Sequence, residues 1–274
     1  MRLTLSIAAS IACLALPAKT HEFWIDPVDF QVETGGKVIA NLRVGTGFEG
    51  TSQSYIPQNF VRFQYAQNGK AHQVQGVVGD RPAMNMEAKE EGLMVVIHQT
   101  DNLAVTWETW EKFKTFVTHK DADWVIDEHL AKGLEQDGVR EIYSRYAKSL
   151  VAVGAGEGKD VVAGMLTEIV ALENPYTGNM SDGFNVGVLY QGKPRSATQV
   201  EVFELDRSGE LRVFTVKTNA KGVVTVPVKA GHKYMLDSVV LRRTDKKPVN
   251  GKPFVWESLW ANMTFEVPST GVGF

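Results

Sequence analysis

The sequence reads as a mainly β chain of two β-sandwich-like domains, the first with a helical insertion and the second of immunoglobulin or transthyretin type. Three observations lead there. Hydrophobic residues alternate with period two from Phe30 onward, the period changes between about residues 106 and 153, and short strand patterns follow a turn-rich connector. Successive side chains of a strand point to opposite faces, so alternation is the mark of a half-buried sheet. A length of 274 residues suits two modules, and 43% hydrophobic with 22% charged residues is enough to build a core in each. The domains are expected at 21–176 and 182–274, behind a leader at 1–20.

Met1-Arg2 is a positive start to that leader, and residues 3–16 are apolar but shorter than the ~20 residues that span a bilayer. Pro17-Ala18-Lys19-Thr20 has the character of a processing region, which predicts a cleaved secretory signal peptide and a soluble periplasmic product. Cutting after Thr20 leaves His21 first, whereas cutting after Ala18 leaves Lys19 first. Cys13 is the chain's one cysteine and falls inside the leader, so the mature product is expected to hold neither disulfide nor thiolate ligand. A net charge of -3 argues against nucleic acid as a partner.

In the first domain Val38, Ala40, Leu42 and Val44 define one strand face, and Val61, Phe63 and Tyr65 another before the turn Asn68-Gly69. Leu93, Val95 and Ile97 alternate with Met94, Val96 and His98. Trp110, Phe113 and Val117 then suggest a short helix, and Asp121 is placed to cap another over residues 122–132, ended by Gly133. Val139, Ile142, Tyr143, Tyr146 and Leu150 fall at helical spacing and predict an amphipathic helix closed by Gly154. The helical insertion is therefore expected over about 106–153. Residues 161–172 read as strand, and Asn174-Pro175-Tyr176-Thr177-Gly178-Asn179 as the connector. Strands are expected beyond it at 186–190, 200–205, 211–216, 223–228, 234–242 and 261–267.

Four of the six histidines are candidate metal ligands: His21, His98, His119 and His129. If export exposes His21 as the terminus, that residue offers two nitrogens, because an α-amino group titrates near about 8 and deprotonates far more readily than lysine. His98 ends a strand, and His119 and His129 flank Lys120-Asp121-Ala122-Asp123, which brings carboxylates near imidazoles. Imidazole with carboxylate suits Ni²⁺, Co²⁺, Zn²⁺ or Cu²⁺. His72 and His232 read as surface residues. Gly154-Ala155-Gly156-Glu157-Gly158-Lys159-Asp160 lacks the Ser/Thr of a phosphate loop, and neither a GxSxG elbow nor a mature cysteine nucleophile is present.

Six segments together resemble one family. They are His21-Glu22-Phe23-Trp24-Ile25-Asp26-Pro27, Arg43-Val44-Gly45-Thr46-Gly47-Phe48, Trp110-Glu111-Lys112-Phe113, Tyr143-Ser144-Arg145-Tyr146-Ala147-Lys148-Ser149-Leu150, Glu173-Asn174-Pro175-Tyr176 and Trp256-Glu257-Ser258-Leu259-Trp260-Ala261. The chain is similar to an uncharacterised bacterial periplasmic family, a domain of unknown function often labelled the periplasmic component of an ABC-type cobalt or nickel transport system. That resemblance implies an extracytoplasmic β-rich protein that handles a divalent transition metal with His21 contributing. It departs at Thr20, where the family commonly has alanine.

The resulting expectation is a periplasmic Ni²⁺ or Co²⁺ binder, not an enzyme, that delivers metal to an inner-membrane ABC-type transporter. Two alternatives stay open: an envelope module whose sandwich loops bind a protein or glycan without metal, and a copper oxygenase using an N-terminal histidine.

Overall fold

The computed structural model describes residues 21–244, 246–247 and 253–269; the expected leader, with Cys13, lies outside the described residues. The elements run β1 (Glu22–Pro27), β2 (Gln31–Val32), β3 (Lys37–Thr46), β4 (Glu49–Gln53), a 3₁₀ turn (Pro57–Asn59), β5 (Phe60–Gln67), β6 (Lys70–Gln73), β7 (Met84–Glu87), β8 (Gly92–Thr100) and β9 (Leu103–Trp107). Helices α1 (Trp110–His119) and α2 (Trp124–Ala131) follow, then β10 (Val139–Val153), β11 (Thr167–Ala171), β12 (Phe184–Tyr190), β13 (Lys193–Pro194), β14 (Gln199–Leu205) and β15 (Leu211–Lys217). The last described elements are β16 (Val223–Val226), β17 (Lys233–Arg243) and β18 (Trp256–Glu266). The mainly β expectation holds.

A ten-stranded sheet forms the middle layer, in the order β15-β14-β17-β18-β10-β8-β5-β6 with β2 and β9 also paired to β10. One face is covered by the small sheet of β11, β12, β13 and β16. The opposite face is covered by β1, β3, β4 and β7 and, toward one end, by α1 and α2. Two sandwich-like packings thus share one sheet. The Leu93, Val95, Ile97 face of β8 packs with Phe184, Val186, Val188 and Leu259 in the first core. Met94 and Val96 point the other way, against Phe23, Ile25, Val38, Ala40 and Leu42. The alternation read along β8 is therefore the alternation between two cores, and that along β3 is between one core and a more open face.

The amphipathic helix expected over Val139 to Leu150 is a correction: those residues form β10. The cause is its place in the sheet. Residues 141–149 pair in parallel with 256–264 of β18, residues 139–143 pair with β9, and residues 150–153 pair with β8. A strand with a layer on each side is buried on both faces, so apolar residues fall on both, here interrupted by buried Glu141, Arg145 and Lys148, and period two is masked. Tyr146 and Leu150 join the β11–β12 side, while Ala147, Val151 and Val153 join the β1–β3 side. The helical part of the insertion accordingly ends with α2.

Helix α1 begins as read, with the Thr109 side chain accepting from the Lys112 N–H at 3.3 Å. Its Phe113, Phe116 and Val117 are buried against Trp256 and Trp260 of β18. Asp121 adopts φ +56° in the link to α2, and Asp123 stands at the N-terminus of that helix. Val61 departs from the expected face because the β5–β8 register shifts between Phe60 and Arg62, which turns Val61 outward and Phe63 inward. The Asn68-Gly69 turn has φ +51° and +72°, the left-handed pair that a tight hairpin needs. β11 and β12, on either side of the expected 174–179 connector, pair with each other.

Candidate functional site

β10 presents Glu141, Tyr143 and Arg145 on one face, spaced by two. At this point β1 ends over the central sheet and His21 stands at its edge. The result is a cleft bounded by His21, Trp107, Glu141, Tyr143, Arg145 and Trp260, with a volume of about 180 Å³. His21 is exposed, and no described residue engages its imidazole; its backbone carbonyl accepts from Arg145 Nη2 at 3.1 Å. Glu141 is buried and accepts from Trp107 Nε1 at 2.7 Å and from the Ser258 hydroxyl. Burial raises its carboxyl to about 7, against the lowering effect of those two donors.

Arg145 is only 9% exposed. Its guanidinium lies over the rings of Tyr143 and Phe23 at 4.9 and 5.7 Å. Beyond the bond to His21 its guanidinium donates to no acceptor among the described residues, and Nε is fully enclosed without a partner among them. On the far side of Arg145 is a second cavity, of about 220 Å³, between β1, β3, β5 and β8. Phe23, Val44, Phe60 and His98 are among its walls.

The four expected ligands occupy four different surroundings. His98 is buried among Phe23, Phe60 and Phe63, with ring centroids 5.0 to 5.3 Å away, and its Nδ1 has no partner. That burial pushes its imidazole down to about 3, so it is neutral. His119, whose side chain is 51% exposed, is 3.0 Å through Nε2 from Glu201. That hydrogen bond raises its pKa, burial opposing. His129 is fully buried and uses both nitrogens: Nε2 donates to the Glu135 carbonyl at 2.9 Å, and Nδ1 accepts from Trp256 Nε1 at 3.0 Å. Among the described residues no group of three or more His, Cys, Asp or Glu is arranged to hold a metal. Of the four, His21 is the one that is both exposed and unengaged, at the His21 cleft, whereas the unengaged ring of His98 is buried and lines the second cavity.

Beside the cleft lies a charge cluster that sequence reasoning did not find. Lys120, its side chain 2% exposed at the end of α1, reaches Glu201 at 2.8 Å, Asp237 at 3.2 Å and Glu22 at 3.7 Å, and lies 4.8 Å from the Trp260 ring centroid. One ammonium faces three carboxyls, and they respond differently. Burial raises Glu22 to about 7, reinforced by Asp237 and Glu201 and only partly offset by Lys120. Asp237 is also raised by burial. For Glu201 burial acts upward too, but the hydrogen bonds from His119 and Lys120 outweigh it and hold the carboxyl at about 2. A second buried lysine, Lys148 of β10, pairs with Asp160 and Glu168 at 2.9 Å each on the opposite face of the sheet.

The signal for Arg145 was present in the sequence: Glu141, Tyr143 and Arg145 alternate with Ile142, Ser144 and Tyr146. A helical reading of the same stretch disperses those three residues around a cylinder. Lys120 offered no such cue, because its partners come from β1, β14 and β17, far away along the chain.

A family model described as a domain of unknown function, DUF4198, matches residues 18–241. No curated protein matches the chain. Among solved structures, a tetra-tandem repeat from the extending region of a large adhesion protein aligns at 11% identity and a TM-score of 0.22, covering 90% of this chain and 50% of that one. The D0-D1 domain of intimin aligns at 14% identity and a TM-score of 0.20, covering 88% of this chain and 97% of that one. The chain thus spans half the length of the first of these structures.

Proposed function

The chain belongs to the family of that domain of unknown function, and from the geometry at His21 we propose that it binds a divalent transition metal, Ni²⁺ or Co²⁺ first, as cargo in the periplasm for a membrane uptake system. The observation that carries this reading is the exposed imidazole of His21, unengaged by any described residue, at the mouth of a cleft that also holds the Glu141 carboxyl. Removal of residues 1–20 puts an α-amino nitrogen on the same residue, so one side chain and one terminus together chelate a cation.

The proposed ligand set is correspondingly narrower than four histidines. His129 has no free nitrogen, His98 is enclosed by phenyl rings, and His119 is bound to Glu201. Solvent or an accompanying small anion completes the coordination shell, which keeps the cargo exchangeable. Amine, imidazole and carboxyl all take up protons on acidification, so affinity falls as pH falls.

Calorimetry with Ni²⁺ on a chain beginning at His21, compared with the same chain carrying one extra glycine before it, tests this directly. At least a tenfold loss of affinity is expected from the added residue, and a similar loss from His21→Gln. Equal affinity for all three chains rejects the His21 site.

A further inference from the structure

Arg145 is a buried cation with no carboxylate in hydrogen-bond reach among the described residues. Leaving a charge buried and unpaired is costly, and proteins normally pair such groups. The two acids that act on it electrostatically, Asp237 and Glu22, are both already committed to Lys120. Its Nη2 is used by the His21 carbonyl, while Nη1 and the enclosed Nε have no acceptor among the described residues. The guanidinium is held in place by rings on two sides and by its bond to the His21 carbonyl. It is a positioned donor set awaiting an anion.

Two cavities border this group, and their linings differ in a way that decides between them. The His21 cleft contains the carboxyl of Glu141, which repels an anion once ionised. The cavity between β1, β3, β5 and β8 contains no acid: apart from Arg145 its polar lining is Gln53, Ser54, Asn59, Thr100 and a neutral His98. Its remaining walls are apolar, with Phe23, Leu42, Val44 and Phe60 on the inner side and Leu103 at the exposed rim. One cation, no second positive charge and apolar walls specify a monoanion with a hydrophobic body. A volume of about 220 Å³ exceeds the roughly 150 Å³ in which an apolar cavity holds benzene, leaving room for a carboxylate beside a ring or short alkyl chain.

We propose that the cavity between β1, β3, β5 and β8 binds a small organic monocarboxylate, its carboxylate on Arg145 and its apolar body between Phe23, Val44 and Phe60. Carboxylate is the anion whose geometry a guanidinium matches best, and the surrounding low dielectric strengthens that pairing. Neither the site nor its test requires the metal reading.

Calorimetric titration of the metal-free chain with benzoate, phenylacetate and hexanoate, and with benzamide and hexanamide, provides the test. At least one acid is expected to bind, with its amide at least tenfold weaker. Val44→Phe, which fills the apolar wall and leaves the charge in place, should weaken that acid at least tenfold, as should Arg145→Gln. Circular dichroism confirms that each variant is folded. Failure of every acid to bind up to roughly 10 mM, amides binding as well as acids, or unchanged affinity in folded Val44→Phe overturns the proposal.

Discussion

Glu141 shows how a single buried carboxyl makes stability depend on pH. Its folded value of about 7 lies above the ordinary 4.5, burial being the main cause. Between those two values the unfolded chain has lost the proton and the folded chain keeps it. The folded state therefore binds more protons, and stability falls as pH rises through the window. A shift of that size corresponds to about 3 kcal/mol lost between pH 4.5 and 7. His98 acts in the opposite direction: its folded value of about 3 means that the unfolded state gains a proton first below pH 6.5, so acidification costs stability. Glu141→Gln removes only the first contribution. In urea unfolding the variant should gain about 3 kcal/mol relative to wild type on going from pH 4.5 to 7, with the His98 contribution cancelling between them. Parallel profiles would show that Glu141 ionises normally in the folded protein.

At the level of elements, β3 and β8 could be read from the sequence and the long central β10 could not. β3 announced its face because it alternates between a core and a more open side, β8 read as a strand from its apolar run although both its faces are buried, and α1 announced itself through the Trp110, Phe113, Val117 stripe. β10 is covered on both sides, and Val139, Ile142, Tyr143, Tyr146 and Leu150 happen to satisfy helical spacing as well. Which of two cores a strand residue enters is a property of sheet order, and no local pattern encodes it. The same limit hid the candidate site: His21 was marked by its position after the expected leader, whereas Arg145 and Lys120 acquire their meaning from strands remote along the chain. Lys120 adds a charged attachment of the end of α1 to the sheet beside the apolar packing of Phe113, Phe116 and Val117, so its removal tests an element rather than a contact. Lys120→Met leaves Glu22, Glu201 and Asp237 facing one another around the lost ammonium, and breaking a buried pair in this way costs about 3 to 5 kcal/mol. Repulsion among carboxyls is relieved when they take up protons, so the loss should be largest near pH 7 and clearly smaller near pH 5. Urea denaturation at the two pH values measures it; a loss independent of pH would mean that the lysine stem, not its charge, holds α1.

The whole molecule is organised around a sheet to which both halves of the chain contribute. β10 precedes the expected connector and β18 follows it, yet they pair in parallel along residues 141–149 and 256–264. The two main cores lie on opposite faces of the same strands, so β8 and β10 each serve both. Buried ion pairs add to this coupling, since Lys120 joins Glu22 of β1 to Glu201 of β14 and Asp237 of β17. Opening either half exposes one face of the shared strands and strips hydrogen bonds from β10, so neither core is retained when the other is lost. The expected consequence is one cooperative unfolding transition, even though a chain of this length commonly unfolds in stages. Differential scanning calorimetry should give a calorimetric enthalpy equal to the van't Hoff value, with near-ultraviolet and far-ultraviolet circular dichroism melting together. A chain stopped at residue 176, which lacks β18 along one edge of β10 and β12 beside β11, should fail to melt cooperatively. Two resolved transitions in the full chain, or a cooperative melt of the truncated one, would show instead that the halves are independent domains whose strands merely abut.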